Sequence, residues 1–207
     1  GLWAREVGAM AGVYFPLLPM EHQYIVTEDV PQIAAIIDVG GEHPHVMDPA
    51  GESYLRQEGR GLCIGFYEQT CRPWAVNGTP WDFGHELLAN DFDKIEDSIA
   101  FAYKRFPALE SAGVKSVIHG PFTFAPDGNP LVGPVPGMRN YWSACAVMAG
   151  FSQGGGVGLT LAQWMVEGEP ERDVFAMDCA RFGSWITPGY TVPKVIENYQ
   201  RRFSVSY

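Results

Sequence analysis

The chain lacks several features that would have placed it quickly. No run of apolar residues approaches the ~18 needed to cross a bilayer, and the opening stretch carries Arg5 and Glu6 where a secretory leader would be apolar. Neither a helical membrane span nor a membrane partner is expected. Cations are scarce: 14 Lys plus Arg stand against 24 Asp plus Glu, a formal charge of -10, the wrong sign for holding phosphate backbones, which excludes nucleic acid as an expected partner. Cysteine is sparse too. Cys63, Cys71, Cys145 and Cys179 form no CxxC pair, so they read as free thiols of a reducing compartment, and the protein is expected to be cytoplasmic, or in the mitochondrial matrix if eukaryotic. There is no internal repeat and no low-complexity tract.

What is present is a globular balance, 46% hydrophobic and 18% charged, which excludes general disorder. A chain of 207 residues has room for one ordinary domain and buries roughly 70% of its unfolded surface. The 24 Gly and 16 Pro are many for this length and mark places where the backbone must turn tightly or approach something closely.

Residues 1–7 read as the opening turn of a helix with no capping residue before them, and the far end shows no natural stop. The chain is thus expected to begin and end inside a longer reading frame. A strand is expected from His22 to Glu28, with His22, Tyr24 and Val26 on one face. Residues 30–52 read as loop, followed by a hairpin of Tyr54–Glu58 and Leu62–Tyr67 around Gly59-Arg60-Gly61, antiparallel to the His22 strand. Ile95, Ile99, Ala102 and Phe106 recur at helical spacing after Asp91, a candidate N-cap, and Val114–Phe124 reads as a strand broken at Gly120-Pro121. Pro126-Asp127-Gly128-Asn129-Pro130 is turn chemistry, and a further helix is expected over Lys194–Arg201. The fold expected is α+β: an antiparallel sheet with a covering helix, plus a strand–loop–helix unit.

That unit is the most informative stretch. Tyr141–Val147 reads as a strand, Gly150–Gly156 as a glycine loop, and Val157–Glu167 as a helix whose apolar face is Leu159, Ala162, Met165 and Val166. Glycines let a ligand come close to backbone, and a helix N-terminus favours electron-rich groups. Packing of strand on helix is the plainer reading of the same glycines, and leaves a non-catalytic module as an alternative. The dinucleotide fingerprint GxGxxG fails, because its third glycine would fall at Leu159 or Leu161, and GxxxxGK[ST] is missing. Gly150-Phe151-Ser152-Gln153-Gly154 matches the esterase elbow GxSxG, which makes a serine hydrolase the second alternative. In that fold the base follows the nucleophile, whereas His22, His43, His45, His85 and His119 all precede Ser152.

Taken together, Gly1-Leu2-Trp3-Ala4, Pro19–Tyr24 (PMEHQY), Gly65-Phe66-Tyr67-Glu68, Phe124–Pro130, Gly150–Gly158 and Arg181-Phe182-Gly183 resemble the FAD-dependent amine oxidoreductases of the D-amino-acid-oxidase-like superfamily, dimethylglycine and sarcosine dehydrogenase branch. The resemblance runs over nearly the whole chain. It implies oxidative demethylation of a small N-methyl amino acid by FAD, with oxygen or an electron-transfer protein as the electron acceptor and folate as a possible ligand of a further C-terminal domain. It implies too that the unit holding the ADP half of FAD, and a histidine able to bind flavin covalently, lie upstream, so that the chain alone is inactive. By the same resemblance residues 1–14 end a first FAD-domain segment, 15–125 form the substrate domain, 126–172 close the flavin site, and 173–207 lead on. Tyr24 and His22 are implied as substrate-facing catalytic residues, and Trp3, Ser152, Gln153, Gly154, Gly155, Gly156 and Val157 as flavin-side residues meeting Tyr24 across one cavity. No metal is expected: His43-x-His45 has ligand spacing without a completing set, Arg56 and Arg60 read as solvated, and Trp74, Trp81 and Trp142 as packing residues.

Overall fold

The structure, a computed structural model, describes residues 1–204. The chain divides into two compact units, each made of discontinuous segments: residues 1–20, 73–83 and 121–198 in one, and residues 21–72, 84–120 and 199–207 in the other.

The second of these holds most of a five-stranded sheet, ordered β2-β3-β4-β1-β5, formed by β1 (Leu18–Thr27), β2 (Val46–Asp48), β3 (Ser53–Glu58), β4 (Gly61–Phe66) and β5 (Val114–Phe124). The expected hairpin is there. Its turn is two residues, Gly59 supplying φ +57 at the first position, and Glu58 already pairs with Gly61. Gly61 is obligatory for packing, since a Cβ there would lie 2.5 Å from the Glu28 carbonyl oxygen. β4 pairs antiparallel with β1, as Tyr24↔Gly65, Ile25↔Ile64 and Val26↔Cys63. Along β1 the buried residues Gln23, Ile25 and Thr27 alternate with half-buried His22, Tyr24 and Val26, so the two faces expected from the sequence are the two faces found.

Ile25, Ile64, Leu55 and Phe66 pack on the core side with Ala102 of the covering helix α3 (Glu96–Arg105) and with Ile95 just before it, each large side chain contributing about 1.5–3 kcal/mol. Asp91 is not the cap of α3, which starts after Ile95 without a side-chain cap; its Oδ1 accepts from Lys94 N at 3.1 Å in the short 3-10 turn Asp93–Ile95 that leads into the helix. Two further expectations fail. Residues 30–52 are not all loop, because α2 (Pro31–Asp38) starts with Pro31 at its first turn and buries Ile33, with Ile36 and Ile37 packed beside it. β5 runs through Gly120-Pro121 without a break.

The other unit contains α1 (Ala4–Met10), the two-stranded β6 (Leu131–Pro134) and β7 (Trp142–Cys145), α4 (Gly150–Glu167), and most of α5 (Pro188–Gln200). Here the expected loop at Gly150–Gly156 is instead the first two turns of α4. Glycine in a helix costs roughly 0.5–1 kcal/mol against alanine, which favours a loop, yet the helix runs unbroken from Gly150 to Glu167. The packed face is also not the one expected. Val157 is buried and Leu161 and Trp164 half-buried, at i, i+4 and i+7, while Leu159, Met165 and Val166 are exposed. Trp164 lies on Gly133 of β6, where a Cβ would come within 2.7 Å of the indole and where φ is +119.

Candidate functional site

Two sets of side chains carry possible chemistry, one in each unit. In the sheet unit, Tyr54, Gly65 and Tyr24 occupy one cross-strand row of β3, β4 and β1. Gly65 has no side chain to fill its place, and the Tyr54 ring lies over it so closely that a Cβ would fall 2.2 Å from the phenol oxygen. This brings the Tyr54 hydroxyl to 3.0 Å from His22 Nε2. On the other side of the imidazole, Nδ1 is 2.9 Å from the hydroxyl of Tyr199, which α5 delivers from 177 residues away. Tyr67 completes an aromatic wall, its ring 4.9 Å from His22 and 5.0 Å from Tyr199.

The contacts continue inward. Tyr199 Oη is 3.1 Å from Glu68 Oε2, and Glu68 Oε1 is 3.1 Å from Lys94 Nζ. Lys94 Nζ is also 3.5 Å from Glu21 Oε2, which lies 3.6 Å from His119 Nε2, and the other nitrogen of His119 meets the Ala89 carbonyl. The Lys94 side chain is 0% exposed and that of Glu68 3%, so this is a buried ion pair, and loss of either partner would strand a charge at a cost of several kcal/mol.

Electrostatics follow from this enclosure. Burial, then the Lys94 ammonium, then His119 push the His22 imidazole down to about 3, so it is neutral at physiological pH. Burial raises the phenols of Tyr54, Tyr67 and Tyr199 above their ordinary value, and these too stay neutral. Burial also raises Glu68, against the opposing pull of Lys94.

Of the residues picked from the sequence, His22 stands at the centre of this cluster. Tyr24 shares its sheet face, but His22 meets Tyr54 and Tyr199 rather than Tyr24 through the hydrogen bonds described. Arg56 pairs with Glu58, Arg60 pairs with Asp38 at 2.7 Å and Asp29 at 3.3 Å, and the His43 backbone N–H bonds Gln57. Tyr54, Tyr199, Glu68 and Lys94 were not singled out from the sequence; only the glycine opposite Tyr54 in the hairpin register could have hinted at the first.

In the other unit, α4 begins at Ala149 without a side-chain cap and with no acidic residue in its first turn. Ser152 sits inside α4, its Oγ donating to the Ala149 carbonyl at 3.1 Å within the first helical turn, rather than on the strained strand-to-helix turn that the elbow motif requires. Gly154, Gly155 and Gly156 are exposed, and a Cβ on any of them would meet no atom within 4 Å. Val157 turns its side chain into the unit's interior. Trp3 stacks on Trp81 at 5.2 Å and lines a cleft of about 330 Å³ with Tyr141 and Trp142.

Comparison with known proteins identifies the family. The family model described as FAD dependent oxidoreductase matches residues 1–164, and that described as FAD dependent oxidoreductase central domain matches residues 167–207. Dimethylglycine dehydrogenase, mitochondrial, of Mus musculus is 41% identical over the whole chain, which covers 24% of that protein; sarcosine dehydrogenase, mitochondrial, of Mus musculus is 37% identical, with 100% of this chain and 22% of that protein covered. The chain therefore spans about a quarter of the length of these relatives. Among solved structures, L-proline dehydrogenase from P. horikoshii superposes with a TM-score of 0.69 at 24% identity, over 88% of this chain and 45% of that one, a likeness of fold. The chain belongs to the FAD-dependent oxidoreductase family.

Proposed function

We propose that the chain is part of an enzyme that oxidatively demethylates a small N-methyl amino acid, dimethylglycine or sarcosine, and that Tyr54 and His22 handle the substrate amine, with Tyr24 beside them on the same sheet face. The observation that carries the reading is the neutral His22–Tyr54 pair, 3.0 Å apart. An amine can release a hydride from its N-methyl carbon only while its nitrogen lone pair is free, which demands the neutral amine. A half-buried site that offers uncharged partners disfavours an ammonium and so lowers the pKa of an amine bound there.

The residues of α4 fit a flavin. Its first turn has no side-chain cap and no carboxylate to oppose an anion, and the exposed glycine face admits a flat ring close to the backbone. Gly154, Gly155 and Gly156, with the backbone of Ser152, Gln153 and Val157, would hold the ring, and Trp3 would add an apolar contact. Bound FAD would supply the hydride acceptor. The oxidised product, an iminium, is hydrolysed by water to release formaldehyde or passes its carbon to folate held by a further domain, and the electrons leave to oxygen or an electron-transfer protein; a mitochondrial setting is inferred from the likeness to mitochondrial dehydrogenases.

The test is anaerobic reduction of the flavin-loaded protein by dimethylglycine and by sarcosine. Tyr54→Phe and His22→Gln are each expected to slow flavin reduction by roughly 10²–10⁴, the usual range for a positioned proton-handling group. Reduction at the unaltered rate in both variants would overturn the assignment.

A further inference from the structure

The hydrogen-bond line behind His22 has a polarity. Lys94 Nζ lies 3.1 Å from Glu68 Oε1, and although burial raises Glu68, a carboxyl group facing an ammonium at this distance forms an ion pair as the carboxylate, which can only accept. Tyr199 has one hydroxyl hydrogen and three acceptors in reach, His22 Nδ1 at 2.9 Å, Glu68 Oε2 at 3.1 Å and, farthest, the Phe66 carbonyl at 3.5 Å. Were that hydrogen given to His22 or to Phe66, the phenol oxygen and the carboxylate oxygen would face each other lone pair to lone pair in a buried site. It therefore goes to Glu68, and the contact with His22 is made by an Nδ1–H donating to the Tyr199 oxygen. A neutral imidazole with its proton on Nδ1 has a bare Nε2, which accepts the hydroxyl hydrogen of Tyr54.

We propose that Tyr199, oriented by the Glu68–Lys94 ion pair, is a positioning residue that fixes His22 as the Nδ1–H tautomer and so turns the Tyr54 hydroxyl hydrogen inward. The consequence reaches the substrate. With its hydrogen committed to His22, Tyr54 presents only lone pairs outward: it can accept an N–H from an amine but cannot donate to the amine nitrogen and occupy the electron pair that drives oxidation. With the opposite tautomer, Nε2–H would donate to Tyr54, and the phenol hydrogen would be free to quench that electron pair. This inference rests on the reading that Tyr54 faces the substrate amine, but the tautomer itself does not depend on it.

The experiment is nitrogen NMR of the intact flavin-loaded protein labelled with [15N]histidine, the His22 signals being assigned by their loss in His22→Gln. At neutral pH His22 is expected to show a protonated Nδ1 and a bare Nε2. Tyr54→Phe should leave this pattern in place, because the tautomer is set from the Tyr199 side. Tyr199→Phe should move the proton to Nε2 and slow flavin reduction by dimethylglycine about tenfold or more, the scale of one lost hydrogen bond to a charged network. A wild-type His22 protonated on Nε2, or a Tyr199→Phe protein still protonated on Nδ1, overturns the proposal; should Tyr199→Phe not fold, the wild-type and Tyr54→Phe patterns still decide it. If instead Tyr54→Phe keeps the wild-type rate while the tautomers behave as stated, the functional reading fails and the positioning role stands.

Discussion

The two units make sites by opposite means. In the sheet unit, the proposed site is made of buried and half-buried polar side chains, and each is held by the next: Tyr54 by His22, His22 by Tyr199, Tyr199 by Glu68, Glu68 by Lys94. In the helical unit the useful surface is bare backbone, made by leaving side chains out at Gly154, Gly155 and Gly156. A site of linked side chains is sensitive to any lost link, since a stranded polar group costs about 1–3 kcal/mol. A site of backbone is indifferent to small additions until something must fit against it.

Substitution of a single methyl can break or sharpen that contrast. Gly65→Ala is expected to have the largest effect. The new Cβ would collide with the Tyr54 phenol, the movable end of a side chain, so the ring shifts while the sheet survives. Flavin reduction by dimethylglycine should fall on the order of 100-fold, the cost of displacing a reacting group by about 1 Å, with little change in melting temperature. A melting temperature that collapses instead would mean that Gly65 serves the fold rather than the site.

Gly155→Leu should act on the other unit alone, lowering the fraction of protein that retains FAD through purification while Tyr54–His22 chemistry in the loaded fraction persists. Full FAD occupancy in that variant would remove α4 from the flavin site.

Acid separates the two as well. His22 is held near 3 in the folded protein against an ordinary 6.5, so the unfolded chain binds the extra proton between those values. Stability is therefore lost as pH falls from about 6.5 toward 3, and His22→Gln should flatten that part of a pH-dependent denaturation series. An unchanged slope would show that other groups govern it.

The smallest effect is expected from Gly155→Ala. The alanine side chain meets nothing, and helix propensity improves, so stability should rise by about 0.5–1 kcal/mol, read as a slightly higher denaturant midpoint. A loss of stability would mean that the glycine face is packed after all.

What the sequence disclosed follows the range over which its signals act. The hairpin, the alternation of β1 and the period of α3 are local, and all three appear where their patterns place them. His22 could be put on the correct face for that reason. Tyr199 and Lys94 could not be joined to it, because nothing in a strand's alternation points to a residue 177 positions on, or to a lysine whose only distinction is that the fold seals it between Glu68 and Glu21. α4 shows a second limit. Apolar residues lie on both of its faces, so periodicity identifies a helix but not which side packs, and the intrinsic cost of glycine argues against first turns that are nonetheless helical.

The distance in sequence between His22 and Tyr199 also governs when the molecule acquires its site. During synthesis the strand bearing His22 emerges early, and the phenol that completes its hydrogen bonding follows 177 residues later. At roughly 5–20 residues per second that is an interval of about 10–35 s during which the histidine is present without its partner. A nascent chain interrupted before α5 can build the hairpin but not the finished hydrogen-bonded cluster around His22.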